Sequence, residues 1–168
     1  TDGTGQQPFS GRDTGTGLKA DAMQRVIADF YNRSLTRRGK VDTFSIVKFR
    51  HATNGTVTTE EFGVPSAIKT DQPWIAEAPV GDWFYSPGFH YDSGMMIRYV
   101  VEAVARDGAA AVCISPRPDG SLDEACVAML REVGGWMRRN GEAIYGSKAW
   151  VIPGEGEIVN GKLKQLPG

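Results

Sequence analysis

Apolar residues along this chain recur in two rhythms. Between Lys19 and Arg38, Met23, Val26, Ile27, Phe30 and Tyr31 return every three or four positions, the spacing that gathers side chains on one helical face. Thr43–Phe49 is a short strand-like run with Arg50 and His51 at its exit. Pro73–Pro79 is a second short strand. Asp92-Ser93 suits an N-cap, and Ile97, Val100, Val101 and Val104 mark the face of the helix it opens, which closes at Asp107-Gly108. Next comes a nearly all-apolar run from Ala109, ending in Ser115-Pro-Arg-Pro-Asp-Gly120. Such a run predicts a strand buried on both faces, as in parallel sheets covered by helices. Ser121-Leu-Asp-Glu124 has the S-x-x-E form of a capping box. Met129, Leu130, Val133, Trp136 and Met137 give the helix behind it one apolar face, ending near Asn140-Gly141.

Helix, buried strand, Pro/Gly loop, helix is the grammar of an α/β protein. The segments between these elements are polar or glycine-rich. Residues 1–17 read as a loop, 52–57 as a polar turn, and Glu60-Glu61 as adjacent carboxylates in the loop after it. Gly81-Asp-Trp-Phe-Tyr-Ser-Pro-Gly88 is an aromatic loop, suited either to capping a core or to forming an apolar platform for a sugar face. Residues 1–150 therefore read as one body. From Val151 the sequence turns glycine-rich and weakly β-like, a linker or the start of a following β-rich domain. A (β/α)8 barrel needs about 250 residues, and these 168 would supply about its second half. A smaller doubly wound sheet is the competing architecture, but no G-x-G-x-x-G or P-loop glycine pattern joins a strand to a helix.

Composition narrows the function classes. A net charge of −1 supplies no basic field for nucleic acid. No apolar run is long enough to span a bilayer. Two cysteines, one in the buried strand and one on a helix, are packing residues rather than a disulfide framework. His51 and His90 have no partner at metal-like spacing, and no metal or organic cofactor is implied. Arg33, Arg37, Arg38 and Lys40 read as a solvated helix end, not an anion site. The chain opens on Thr1-Asp2-Gly3 without an initiating Met, which points to a piece of something longer.

Several stretches resemble one family, the α-L-fucosidases of glycoside hydrolase family 29. Gly108–Gly120, with its Ser-Pro-Arg-Pro-Asp-Gly ending, is similar to that family's buried strand ending in Gly-Pro-x-Pro-Asp-Gly. Leu130–Gly146 is similar to its closing helix and the Asn-Gly-Glu-Ala-Ile-Tyr-Gly that follows. Trp74 and Gly81-Asp-Trp-Phe-Tyr85 resemble its Trp-containing strand and the aromatic loop after it. The resemblance implies a retaining glycosidase on a (β/α)8 barrel, here the second half. It implies Asp2, in an x-Asp-Gly setting, as nucleophile. It implies Glu61 as acid/base, although Phe62 departs from the arginine often found there and Glu60 is a possible substitute. Arg50 resembles an arginine lining the sugar site, and Trp83 or Phe84 the aromatic residue near the fucose methyl group. Secretion or a periplasmic location also follows from the resemblance alone.

The residue types suit that chemistry. Glycosidic bonds break through an oxocarbenium-like transition state, and a retaining enzyme uses one ionised and one protonated carboxyl group, about 5–5.5 Å apart. The expected partner is a fucosylated oligosaccharide, together with the missing N-terminal half of the barrel, whose absence leaves sheet edges open. Two other readings compete: a catalytically inactive carbohydrate-binding relative on the same barrel, and a self-contained α/β domain pairing two half-barrels as a homodimer.

Overall fold

The computed structural model describes residues 21–48, 55–61, 63–88, 91–155, 157–159 and 162–164. The leading loop with Asp2, the strand exit with Arg50 and His51, and His90 lie outside the described residues. The elements run α1 (Ala22–Arg38), β1 (Ile46–Lys48), β2 (Val57–Glu61), β3 (Trp74–Pro79), α2 (Ser93–Val104), β4 (Ala109–Cys113), α3 (Glu124–Asn140), a 3-10 turn (Gly141–Ala143), β5 (Glu157–Val159) and β6 (Lys162–Lys164). Four strands form a sheet in the order β1-β2-β3-β4, and β5 and β6 make a separate antiparallel hairpin.

Strand direction follows from which ends meet. β1 and β2 are parallel, with Val47 opposite Thr58. The Thr58 N–H, at the start of β2, donates to the carbonyl of Pro73, just before β3, at 3.0 Å. The Val80 N–H, just after β3, donates to the carbonyl of Cys113, the last residue of β4, at 2.9 Å. Like ends therefore lie together at both junctions, which is the parallel arrangement, and α2 is the crossover between β3 and β4.

Contacts divide the chain into two units. The first holds α1, β1, β2 up to Glu60, and the start of β3. In it α1 buries Ile27 and Ser34, while Val26 and Phe30 on the predicted apolar face stay exposed. Gly39 ends the helix at φ 69°, the left-handed conformation that only glycine adopts freely, and its N–H donates to the Leu35 carbonyl at 2.8 Å. Tyr31 ties the helix to the strands: its hydroxyl accepts from the Ser45 N–H at 3.0 Å and donates to the Gly55 carbonyl at 2.7 Å. The basic helix end is solvated as expected, with Arg33 on Asp29 at 2.8 Å and Arg38 on Asp42 at 3.0 Å.

The second unit holds the rest of β3, α2, β4 and α3. Its core is Val80, Met96, Cys126 and Met129, with Tyr91, Tyr99, Val112, Ile114, Leu130 and Val133 packed against it. Fully burying a Val or Met side chain is worth about 1.5–3 kcal/mol, so this cluster holds the two helices on the sheet. Asp92 caps α2 through the Met95 N–H at 2.7 Å, as the sequence predicts.

Four expectations need correction. The most buried residues of α2 are Met96 and Ala103, whereas Ile97, Val100 and Val104 are half-buried and Val101 is exposed, because Met96 is the α2 residue that enters the core against which Tyr99, Val112 and Ile114 pack. Residues 57–61 form a strand, not a loop, since β1 and the chain before β3 take up their backbone groups. β4 is half-buried with Ala109 exposed, not buried on both faces. The N-cap of α3 is Asp123, which accepts from the Ala125 N–H at 3.0 Å, whereas Ser121 is committed to Asp119 and Arg117 in the preceding turn. At the other end, Gly141 stays right-handed at φ −60° and the chain tightens into the 3-10 turn; the left-handed glycine is Gly146.

Candidate functional site

Parallel strands deliver their carboxyl ends to one edge, and the loops leaving that edge carry the chemistry in α/β folds. The Val80–Cys113 bond fixes the ends of β3 and β4 side by side, so the loops they feed, 80–86 and 114–120, start as neighbours.

The first of these loops carries the predicted aromatic pair. Trp83 is half-buried, while Phe84 is 84% exposed, an apolar ring standing in solvent. Gly81, at φ 129°, permits the turn into the loop. Asp82 accepts from the Trp83 N–H at 2.7 Å. The second loop closes on itself. The Arg117 N–H donates to the Ser121 carbonyl at 2.8 Å, the Gly120 N–H donates to the Arg117 carbonyl at 2.8 Å, and Gly120 takes φ 82°. Asp119 accepts from both the Ser121 hydroxyl (2.7 Å) and its N–H (2.9 Å), and these bonds hold its carboxyl below the ordinary aspartate range.

Two side chains of the second loop reach the first. The Ser115 hydroxyl lies 2.8 Å from the Asp82 carbonyl and 3.0 Å from the Trp83 carbonyl. The Arg117 guanidinium donates to the Tyr85 hydroxyl at 3.3 Å, the Leu122 carbonyl at 3.1 Å and the Asp123 carboxylate at 3.2 Å. The hydrogen bond to Tyr85, more than ring attraction, links this pair, because the guanidinium carbon is 5.9 Å from the ring centre, at the outer limit for cation–π contact. That bond is also the main cause raising the Arg117 pKa. Between the loops lies a hollow of about 20 Å³, room for one water, lined by Phe84, Tyr85, Ser115, Asp123 and Cys126 among others. Burial, followed by Asp123, pushes the Cys126 thiol up, so it stays protonated and acts as a small apolar wall.

Glu61 ends β2 half-buried, and Glu60 beside it is also half-buried. Consecutive strand residues point to opposite faces, so the two carboxylates address different sides of the sheet. Exchanging one for the other would thus change the face that is served. The structure brings Trp83 and Phe84 together on one loop and sets Glu61 at a strand's carboxyl end; Asp2 and Arg50 lie outside the described residues. Among the described residues no group of three His, Cys, Asp or Glu side chains is placed to hold a metal ion, and no helix is long and apolar enough to cross a membrane.

Sequence reasoning passed over three residues. Ser115 and Arg117 stand inside a motif that reads as a turn, and their targets lie 32 or 33 positions upstream. Glu77 on β3 accepts from the Cys113 thiol at 3.7 Å through Oε1, while its Oε2 is buried without a hydrogen-bond partner. One carboxylate in the otherwise apolar run Trp-Ile-Ala-Glu-Ala-Pro was the available signal.

Comparison with known proteins identifies the arrangement. A family model described as alpha-L-fucosidase matches residues 2–142. Plasma alpha-L-fucosidase of Homo sapiens is 34% identical over 55 residues, covering 33% of this chain and 12% of that protein. Tissue alpha-L-fucosidase of Rattus norvegicus is 34% identical over 64 residues, covering 38% of this chain and 14% of that protein. The crystal structure of Thermotoga maritima alpha-fucosidase in complex with fucose superposes with a TM-score of 0.60 at 19% identity, over 80% of this chain and 30% of that one. This chain thus spans a small part of the curated relatives and under a third of the solved structure. Its fold is that of part of a (β/α)8 barrel.

Proposed function

The chain belongs to the α-L-fucosidase family, and from that membership we propose that it supplies the C-terminal half of the catalytic barrel of an exo-acting, retaining glycosidase. The reaction is hydrolysis of terminal α-L-fucosyl linkages in glycans. The observation that carries this reading is the family match itself, which spans residues 2–142. The fucose held by the Thermotoga maritima enzyme, whose fold this chain shares in part, supports the sugar.

In the proposed double displacement, the Asp2 carboxylate attacks the anomeric carbon while Glu61 gives its proton to the departing glycosidic oxygen. A fucosyl ester on Asp2 results. Glu61, now ionised, takes a proton from water, and the hydroxide so formed displaces Asp2 with restored configuration. Arg50 would engage the sugar hydroxyls. Fucose is a 6-deoxy sugar, so its methyl group suits an apolar wall, and the exposed ring of Phe84 beside Trp83 offers one. Residues 1–150 would belong to the barrel. Residues 151–168 would form a linker or the first part of a β-rich domain; the hairpin of β5 and β6, beyond the end of the family match, fits that division. The exposed Val26 and Phe30 of α1 fit a surface covered by the N-terminal half of the barrel.

The test is made in the full-length protein carrying this chain, with 4-nitrophenyl α-L-fucoside. Asp2→Gly should abolish turnover, and azide should rescue it by forming the inverted fucosyl azide. Glu61→Ala should lower turnover of an unactivated fucoside by about 10²–10⁴-fold. Fucose binding without hydrolysis in the unaltered protein would instead support the inactive carbohydrate-binding relative.

A further inference from the structure

We propose that Ser115 and Arg117 are positioning residues that clamp the aromatic loop on both sides of Trp83 and Phe84 and so set affinity for the 6-deoxy sugar. The proposal rests on the reading above, in which those two rings meet the sugar. It adds two residues that touch no substrate.

A loop outside strand and helix must find partners for its backbone groups, or leave them to water and move. Loop 80–86 finds them in its neighbour. The Ser115 hydroxyl has one proton to give, and the carbonyls of Asp82 and Trp83 both lie within its reach, at 2.8 and 3.0 Å. Two successive carbonyls are therefore turned to the same side. With the Trp83 N–H taken by the Asp82 carboxylate, both polar groups of the Trp83 main chain are engaged. Two residues further on, Tyr85 is held at its hydroxyl by Arg117. Arg117 is itself fixed by the Leu122 carbonyl and by Asp123, the N-cap of α3, so the clamp is anchored on a helix end. A planar guanidinium presents its donors at set angles, and three separate targets define its orientation.

Phe84 sits between these anchors. At 84% exposure its ring has little packing of its own, so its direction is set by the main chain on either side. Loss of either anchor would leave the loop to be ordered at the moment of binding, a cost paid in affinity. Ordering one released residue corresponds to about a tenfold loss of affinity.

The experiment uses Ser115→Ala, Ser115→Thr, Arg117→Met and Arg117→Lys in the full-length protein. KM and kcat are measured on 4-nitrophenyl α-L-fucoside, and amide hydrogen exchange at 82–85 is followed. Ser115→Ala and Arg117→Met should each raise KM about tenfold, with kcat changed far less, and should speed exchange at 82–85. Ser115→Thr, which keeps the hydroxyl, should restore both. Arg117→Lys should not, because a single ammonium cannot meet three separated acceptors. Unchanged KM and unchanged exchange in Ser115→Ala and Arg117→Met would overturn the proposal, as would a fall in kcat at constant KM. Trp83→Ala and Phe84→Ala separate the two levels. If they leave KM and fucose binding unaltered, the aromatic loop is not the sugar wall and the functional reading loses that element. If they raise KM while the clamp variants do not, only the clamp fails.

Discussion

The thiol of Cys113 on β4 meets Oε1 of Glu77 on β3 at 3.7 Å, and the other oxygen of that carboxylate is buried with no hydrogen-bond partner. A weak thiol donor does little to offset the burial of a carboxylate. Glu77→Met should therefore raise the unfolding free energy, by about 1–3 kcal/mol. Urea denaturation of the chain measures this. A fall in stability would mean that Oε2 has a strong partner in solution.

Tyr99 on α2 presents a second buried oxygen without a partner. Burial, then the neighbouring Tyr91, Cys113 and Glu77, raises its phenol above the ordinary tyrosine range. A pKa raised in the folded state gives stability that is fully present below the unfolded value, about 10, and lost as pH rises beyond it. Melting temperature should hence fall as pH rises from about 9 to about 11, through the unfolded tyrosine value, and Tyr99→Phe should flatten that fall. At neutral pH the same variant should be neutral or more stable. A steeper alkaline loss in Tyr99→Phe would refute this account.

Asp119 shifts the opposite way, held low by the Ser121 hydroxyl and N–H. Its contribution to the turn is present above the unfolded aspartate value, about 3.9, and is lost as pH falls through the depressed folded one. Ser121→Ala should move the Asp119 titration upward in carboxyl carbon NMR. No movement would show that the two bonds are absent in solution.

Two glycines at helix ends should respond differently to alanine. Gly39 sits at φ 69°, so Gly39→Ala should cost about 1–2 kcal/mol although nothing crowds the added methyl. Gly141 has φ −60°, and a Cβ there would meet only the Tyr145 ring, at 2.9 Å from Cε2. That ring is 71% exposed and can swing aside, so Gly141→Ala should change stability by less than about 0.5 kcal/mol. Thermal melts of both variants decide the comparison; equal losses would contradict it.

What could be read from the sequence was what is determined locally. The end of α1 at Arg38, Asp92 ahead of α2 and Met129 on the face of α3 all follow from spacing and capping chemistry. The inward face of α2 did not, because Ile97, Val100 and Val101 are as apolar as Met96, and only the core shared with Val80, Cys126 and Met129 breaks the tie. β2 escaped for the opposite reason: Val-Thr-Thr-Glu-Glu has no apolar alternation, and its partners on β1 and at Pro73 make it a strand. Of the candidate site, the aromatic loop and Glu61 were legible as residue types. The bonds from Ser115 and Arg117 were not, since each joins positions 32 or 33 apart.

The hydrogen bond from Val80 to Cys113 binds together the fates of two loops that lie far apart in the gene. A change at Tyr85 leaves Arg117 with an unused donor, and a change at Ser115 alters the demands on Asp82 and Trp83. Descendants of this sequence should therefore revise 82–85 and 115–117 as one inherited block. A graft that transplants either loop alone would carry half of a matched pair.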